Sequence, residues 1–247
     1  MAWLDRFGGG LVTTCGLRNV GAASEKHGLH GAVSHQRARD VRIRRRVVGG
    51  VPLIAMSATI GEPGDGGALL RVQRWITLTG GRGSLDIQDV TTNLGPAEKP
   101  APLLYHVNLG YPLLDEGSTI YVPGSTAVPR DVVSAAQSGL VARMAGPASG
   151  TDEAVFERVL DDRSRQRAVR TSRHAGLELV VSWRREELSR FHQWIRRDGR
   201  WYVLGFEPAN CSVLGRGHDR AEGRLPVLAP GARRATRIRI DVRRSSP

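Results

Sequence analysis

The sequence predicts an all-β fold, a large antiparallel sandwich, and three observations carry this prediction. Roughly a dozen short runs alternate apolar and polar residues with the period of two that suits a strand. The 30 glycines and 13 prolines are spread along the chain, as turns between many short strands require. Almost no stretch shows the period of an amphipathic helix. At 247 residues, we expect a single domain over residues 1–247.

The strands can be placed in order. Runs at 41–48, 51–60 and 69–78 are separated by Gly or Pro and predict a meander, which residues 84–95 continue to a turn at Asn93–Gly95. Residues 115–150, rich in Gly, Ser, Ala and Pro, predict a long surface excursion. Residues 152–162 fit a short helix or a strand. Strands resume at 176–183, 191–195, 201–207 and 237–242.

The net charge of +12 is the feature that would suggest a nucleic-acid partner. Lys26 and Lys99 are the only lysines among 36 basic residues, so the charge is almost all arginine and fits a compositional bias better than a phosphate-binding surface. In the segment 237–242, arginine alternates with Ile and Val, which predicts a strand with one face toward solvent and one toward the core. We therefore expect no nucleic-acid partner.

Membrane, disulfide and metal features are weak in this sequence. No apolar run approaches the roughly 20 residues that cross a bilayer, so we expect a cytoplasmic protein without a membrane partner. Cys15 and Cys211 are too few and too far apart for a disulfide framework, and we expect both to be reduced and partly buried. Three histidines lie within residues 27–35, but no Asp, Glu or Cys completes a familiar ligand spacing, so we expect no metal site.

The stretch 105–114, YHVNLGYPLL, predicts a strand that ends in a Gly/Pro turn. Histidine exchanges protons near neutral pH, and a strand would hold His106 rigidly, which makes it the first catalytic candidate. The alternative is a half-buried histidine whose ring satisfies a backbone carbonyl.

The stretch 201–211, WYVLGFEPANC, predicts a second strand and places Glu207 directly before a proline. The residue before proline is held extended, so the direction of the carboxylate is fixed. Such a glutamate is often only solvated. An acid and a base on rigid elements of one sheet are, however, what proton transfer to a neutral substrate needs.

With these residues assembled, the chain resembles the aldose 1-epimerase-like branch of the galactose mutarotase superfamily, in a bacterial family of poorly defined activity. The likeness is carried by GGLVTTCGLRNVG at 9–21, GLHGAVSH at 28–35, YHVNLGYPLL at 105–114 and GFEPANC at 205–211, together with Arg74 and the turn at 89–95. It covers nearly the whole chain.

The resemblance implies a β-supersandwich that binds sugar in a cleft and isomerises it at the anomeric carbon, without metal or organic cofactor. Glu207 would take the proton of the anomeric hydroxyl while His106 protonates the ring oxygen. His30 would support the site, with a loop histidine that fixes backbone as the alternative. Arg74, Asn108 and His35 complete the expected substrate-binding set.

Two departures from the family pattern accompany the resemblance. Ala32 and His35 stand where relatives carry an arginine and an asparagine, so a sugar-contacting cation is expected to be absent. Relatives also begin with an N-terminal β segment, which predicts an N-terminally truncated fold, as a fragment or through a mis-assigned start.

The alternative function is a non-catalytic carbohydrate-binding or regulatory protein on the same fold. For the enzyme, we expect the functional atoms of His106 and Glu207 to lie about 5–9 Å apart, by analogy with carboxylate pairs that flank a sugar.

Overall fold

The computed structural model describes residues 9–63, 69–172 and 174–245, with the side chains of Pro63 and Leu69 left out. Within these ranges the chain forms sixteen strands and two short α-helices, so the predicted all-β class is confirmed. The strands are β1 (Val12–Gly16), β2 (Arg39–Val48), β3 (Val51–Pro63), β4 (Leu69–Thr79), β5 (Ser84–Asn93), β6 (Lys99–Pro100), β7 (Leu103–Leu109), β8 (Thr119–Tyr121), β9 (Ser125–Pro129), β10 (Ala154–Leu160), β11 (Arg165–Ser172), β12 (Leu177–Arg184), β13 (Arg190–Arg196), β14 (Val203–Ala209), β15 (Val227–Leu228) and β16 (Arg233–Arg244). The α-helices are α1 (Val132–Ala136) and α2 (Arg216–Ala221), and 3₁₀ turns lie at Val33–His35 and Ser138–Val141.

The predicted meander is confirmed as the consecutive antiparallel strands β2, β3, β4 and β5. A tight turn joins β2 to β3 through Gly49 and Gly50, which have φ of 57° and 78°. Glycine adopts this left-handed backbone without steric cost, so the sequence itself closes the hairpin.

The predicted surface excursion at 115–150 is wrong as a description of the whole segment. It contains β8, which pairs with β11, and β9, which pairs with β10. It also contains α1, whose first turn is capped by Asp131, since the Asp131 carboxylate accepts a hydrogen bond from Ser134 N at 2.8 Å. The alternative left open at 152–162 resolves as a strand, β10.

The described chain packs as two compact units. Unit 1 contains residues 14–105 and 209–238, and unit 2 contains residues 9–13, 106–208 and 239–245. The single-domain organisation stays a prediction.

In unit 1 the strands β2, β3, β4 and β5 lie side by side in one sheet. One face of β3, β4 and β5 is buried through Ala58, Val72 and Ile87, whereas β2 is exposed along its whole length. A separate apolar cluster brings together Cys15, Val20, Leu104, Ala209 and Cys211. Both cysteines are thus fully buried, where partial burial was expected.

In unit 2 the strands follow the order β7, β14, β13, β10, β9 in one sheet and β12, β11, β8 in the other. Aromatic rings fill its core, with Phe191 stacked on Trp183 at 4.9 Å between centroids and in edge contact with Phe206 at 5.6 Å. In the described ranges, no helix is both long enough and apolar enough to cross a membrane.

Candidate active site

His106 lies in the middle of β7, a strand that is buried on both faces. Side chains alternate along a strand, so Tyr105 and His106 point to opposite faces of the sheet. Tyr105 is fully buried, and the His106 side chain is 10% exposed. The strand therefore presents the imidazole on the face away from the Tyr105 hydroxyl.

Glu207 lies on β14, the strand beside β7. The preceding residue, Phe206, packs in the aromatic core of unit 2, which fixes the alternation and turns Glu207 to the other face. Its carboxylate is only 3% exposed. A buried carboxylate needs a partner, because leaving water costs the charged form several kcal/mol.

That partner is His106, whose Nε2 lies 2.9 Å from Oε1 of Glu207. The expected separation of about 5–9 Å is wrong. The analogy behind it came from carboxylates on either side of a glycosidic bond, where a sugar ring lies between the two groups. Adjacent strands hold facing residues much closer, since neighbouring backbones are only about 4.8 Å apart.

Gly205 makes room for this pair. A Cβ at position 205 would lie 2.8 Å from Cε1 of His106, 3.1 Å from Oε1 of Glu207 and 3.2 Å from Cβ of Trp194. Any larger residue would displace the imidazole or the carboxylate. A glycine inside an apolar strand run is the sequence signal that could have pointed to this close approach.

Trp194 on β13 forms a wall beside the pair. Its ring meets the His106 ring edge-on, with centroids 5.3 Å apart and planes at 65°. Its indole N–H donates to Oε2 of Glu153 at 2.8 Å, which fixes the orientation of the ring. Trp194 is half-buried, so part of the residue remains open to solvent. The sequence did not reveal this role, because an aromatic residue in an apolar strand can equally pack in the core or line a site.

Asn108 lies two residues after His106 and therefore on the same face of β7. Its side-chain N–H donates to Gly10 O at 2.9 Å, and its backbone N donates to Leu11 O at 2.8 Å. The expected substrate-binding amide thus holds the segment before β1 against β7.

His30 and His35 lie in unit 1, in the loop region after β1. His30 has a positive φ of 56°, its carbonyl accepts from Gly16 N at 3.0 Å, and its Nδ1 accepts from Gly21 N at 3.3 Å. These bonds fix the backbone of the loop, which is the alternative role that the sequence analysis gave for His30. His35 ends a 3₁₀ turn and is half-buried. Their contacts with a sugar stay predictions.

Glu62, which sequence reasoning missed, anchors the same loop. Its side chain is buried, and Oε2 accepts a hydrogen bond from Leu17 N at 2.7 Å. Burial raises the pKa of Glu62 to about 7, although the Leu17 N–H opposes this rise. The residue therefore titrates near neutral pH from inside unit 1.

Arg74 belongs to a polar network inside unit 1. Its guanidinium donates to both carboxylate oxygens of Asp89, at 2.8 and 2.6 Å, and to Thr14 Oγ1 at 2.7 Å. Tyr105 donates to Asp89 at 2.7 Å and lies 2.7 Å from Thr236 Oγ1. Arg74, an expected sugar-binding residue, thus makes three hydrogen bonds within this network, and its contact with a sugar stays a prediction.

Electrostatics bind the network together. Burial alone would lower the pKa of Arg74, but the Asp89 carboxylate outweighs it and raises that pKa. Burial raises the pKa of Tyr105 well above its usual value, and Asp89 adds to the rise, so Tyr105 stays a hydrogen-bond donor. Among the side chains that the structure describes, no three His, Cys, Asp or Glu residues converge as metal ligands.

Comparison with solved structures gives the fold. A candidate aldose 1-epimerase from Klebsiella pneumoniae superposes with a TM-score of 0.88 at 22% identity, over 96% of this chain and 63% of that chain. A galactose mutarotase-like protein from Clostridium acetobutylicum gives 0.61 at 10% identity, over 94% of this chain and 79% of that one. The GalM/aldose epimerase homologue from C. elegans gives 0.56 at 14%, over 96% and 82%.

This chain therefore spans less than two thirds of the length of the Klebsiella protein. The predicted resemblance to galactose mutarotase-like proteins is confirmed, as is their β-sandwich fold. No protein of curated function matches the sequence. The sequence profile described as "domain of unknown function (DUF4432)" matches residues 1–242, so the chain belongs to that family.

Proposed function

We propose that this protein is an aldose 1-epimerase-like isomerase that acts at the anomeric carbon of a sugar or sugar derivative. The observation that carries the proposal is the contact between Nε2 of His106 and Oε1 of Glu207 at 2.9 Å, within unit 2. It joins a proton donor and a proton acceptor on two adjacent strands. The fold of the chain, which it shares with galactose mutarotase-like proteins, supports the same reaction class.

The proposed reaction is a proton transfer in two places. The Glu207 carboxylate takes the proton from the hydroxyl on C1, while protonated His106 gives a proton to the ring oxygen. The bond between C1 and the ring oxygen breaks, and an open-chain aldehyde forms. Rotation about the C1–C2 bond followed by the reverse transfers closes the other anomer. No atom or electron is gained or lost, so no cofactor enters the scheme.

The short distance between the two groups suits this chemistry. The anomeric hydroxyl and the ring oxygen are bonded to the same carbon, so an acid and a base that serve them must lie close together. A sugar would replace the His106–Glu207 contact with one hydrogen bond from each group to its own oxygen. The open part of Trp194 would then offer an apolar wall to the C–H face of the sugar.

A second candidate function is a non-catalytic carbohydrate-binding protein on this fold. The observation that favours it is that Nε2 of His106 and Oε1 of Glu207 already contact each other, as in a purely structural buried pair. In that case sugar binds and its anomers exchange at the uncatalysed rate.

Polarimetry separates the two functions. Freshly dissolved single anomers of a panel of aldoses are followed with and without protein, and calorimetry records binding of the same sugars. Catalysed relaxation of at least one sugar is the expected result. The protein could instead bind a sugar without speeding the exchange of its anomers. That result would contradict the isomerase proposal and favour the non-catalytic carbohydrate-binding protein.

A further inference from the structure

The exposed face of the meander in unit 1 carries a second feature with the chemistry of a binding site. In the pairing of β2 with β3 and of β3 with β4, Arg42 is opposite Ser57 and Ser57 is opposite Trp75. Directly paired residues of antiparallel strands project to the same face. A cation, a hydroxyl and an indole therefore stand in one row across three strands, spanning about 10 Å.

Small residues between large ones turn this row into a groove. Ala55 and Ser57 on β3 form the floor, Arg42 and Arg44 on β2 form one side, and Gln73 and Trp75 on β4 form the other. The groove has a volume of about 330 Å³. This is at the lower end of the range for small-molecule sites and suits one sugar ring better than an extended polymer.

Charge sets the ligand class. Arg42 and Arg44 are exposed, and neither forms a salt bridge with a carboxylate among the residues that the structure describes. A guanidinium binds carboxylate and phosphate oxygens in a two-pronged geometry. Two such groups on one side of a groove therefore attract an anionic ligand.

The opposite side of the groove sets the rest of the ligand. Trp75 is 40% exposed, so its indole has free surface on which the apolar face of a sugar ring can stack. Gln73 and Ser57 supply hydrogen bonds of the kind that sugar hydroxyls accept and donate. Single-stranded nucleic acid, the competing anion, binds along a series of aromatic residues, whereas this groove has one.

We infer that this groove binds an anionic saccharide, with the sugar ring on Trp75 and its acid group held by Arg42 and Arg44. The shared chemistry is a pyranose that bears a carboxylate or a phosphate. This inference does not rest on the proposed isomerase activity, since the groove and the His106–Glu207 pair belong to different units.

Calorimetry with defined probes tests the inference on the full chain. Glucuronate and glucose 6-phosphate are expected to bind at least tenfold more tightly than glucose, and their ratio tells which acid group is preferred. Inorganic phosphate should bind at least tenfold more weakly than glucose 6-phosphate. Equal affinity for glucose and both anionic sugars would overturn the inference, as would a tighter complex with oligothymidylate than with either sugar.

Variants locate the site. Trp75→Ala should weaken binding of the anionic sugars at least tenfold, and Arg42→Gln combined with Arg44→Gln should remove the preference over glucose. Trp201→Ala is the matched control, because Trp201 is also exposed, at 45%, and lies beside an arginine, Arg200, at 5.7 Å. Unchanged affinity in both groove variants would overturn the inference. Glu207→Gln should still bind the anionic sugars in the groove. The groove inference can therefore hold even if the isomerase proposal fails.

Discussion

Gly205 and His106 are in a contact that leaves no space for a side chain, since a Cβ at 205 would lie 2.8 Å from Cε1 of the imidazole. Gly205→Ala should therefore move His106 away from Glu207 and lower turnover by about 10²-fold, the usual effect of displacing an acid–base group by a fraction of an ångström to an ångström. Initial rates of mutarotation measure this effect.

The control for this variant is Gly139→Ala. Gly139 lies in a 3₁₀ turn of the same unit, and a Cβ there would meet nothing within 4 Å. It should keep parental activity. If Gly205→Ala is folded and as active as Gly139→Ala, the tight packing around the pair has no role in catalysis.

Arg74→Met should destabilise the protein. It removes the partner of the fully buried Asp89, and breaking a buried ion pair by deleting one member costs roughly 3–5 kcal/mol. Urea unfolding measures the change. Arg184→Met is the comparison, because the Arg184–Glu186 pair is on the surface and its loss should matter little. Similar midpoints for the two variants would mean that the Arg74 network is not a stabilising element.

Glu62 should make stability depend on pH. Its pKa in the folded protein is about 7, against the ordinary value of 4.5, so the folded state holds a proton that the unfolded state has lost. Stability is then fully present below pH 4.5 and falls as the pH rises through 7, by about 3 kcal/mol at most.

Glu62→Gln keeps an acceptor for the Leu17 N–H and removes the titration. The difference in unfolding free energy between this variant and the parent should therefore grow in favour of the variant from pH 4.5 to 7. A difference that stays constant across this window would show that Glu62 does not bind a proton on folding.

The rate of anomer exchange should follow a bell in pH. A base must be ionised and an acid must be protonated at the same time, so the rate should fall at acid pH, where the base is protonated, and at alkaline pH, where the acid has lost its proton. Because Nε2 of His106 and Oε1 of Glu207 lie only 2.9 Å apart, the limbs belong to the pair rather than to either residue alone. A kcat profile between acid and alkaline pH measures the limbs. A rate that keeps rising with pH would instead indicate a hydroxide reaction that bypasses the pair.

Much of the fold was predictable where local signals agree. The strands β2 to β5 combine period-two alternation with Gly turns, so each hairpin is visible in the sequence. β11 was missed because its buried face consists of Gln166, Ala168, Arg170 and Ser172. No hydrophobic period exists there, since Arg170 is buried against Asp115. Only tertiary pairing reveals such a strand.

The site was predictable residue by residue but not as a geometry. His106 and Glu207 stand out because a titratable group interrupts an apolar strand. Their contact depends on β7 and β14 being neighbours, and the pairing of distant strands leaves no mark in local sequence. The same holds for Arg74, whose partner Asp89 lies directly across from it on β5. The resemblance implied that Arg74 binds sugar, which stays a prediction, and the ion pair with Asp89 becomes visible only in the register of β4 and β5.

The most direct test of the account is the mutarotation rate of Glu207→Gln. Glutamine keeps the shape of the side chain and an oxygen for His106, and it deletes only the basicity. We expect turnover to fall roughly 10²–10⁴-fold, the usual contribution of general acid–base catalysis, while sugar affinity changes little. A folded Glu207→Gln protein that interconverts anomers as fast as the parent would contradict the account and make the His106–Glu207 pair structural.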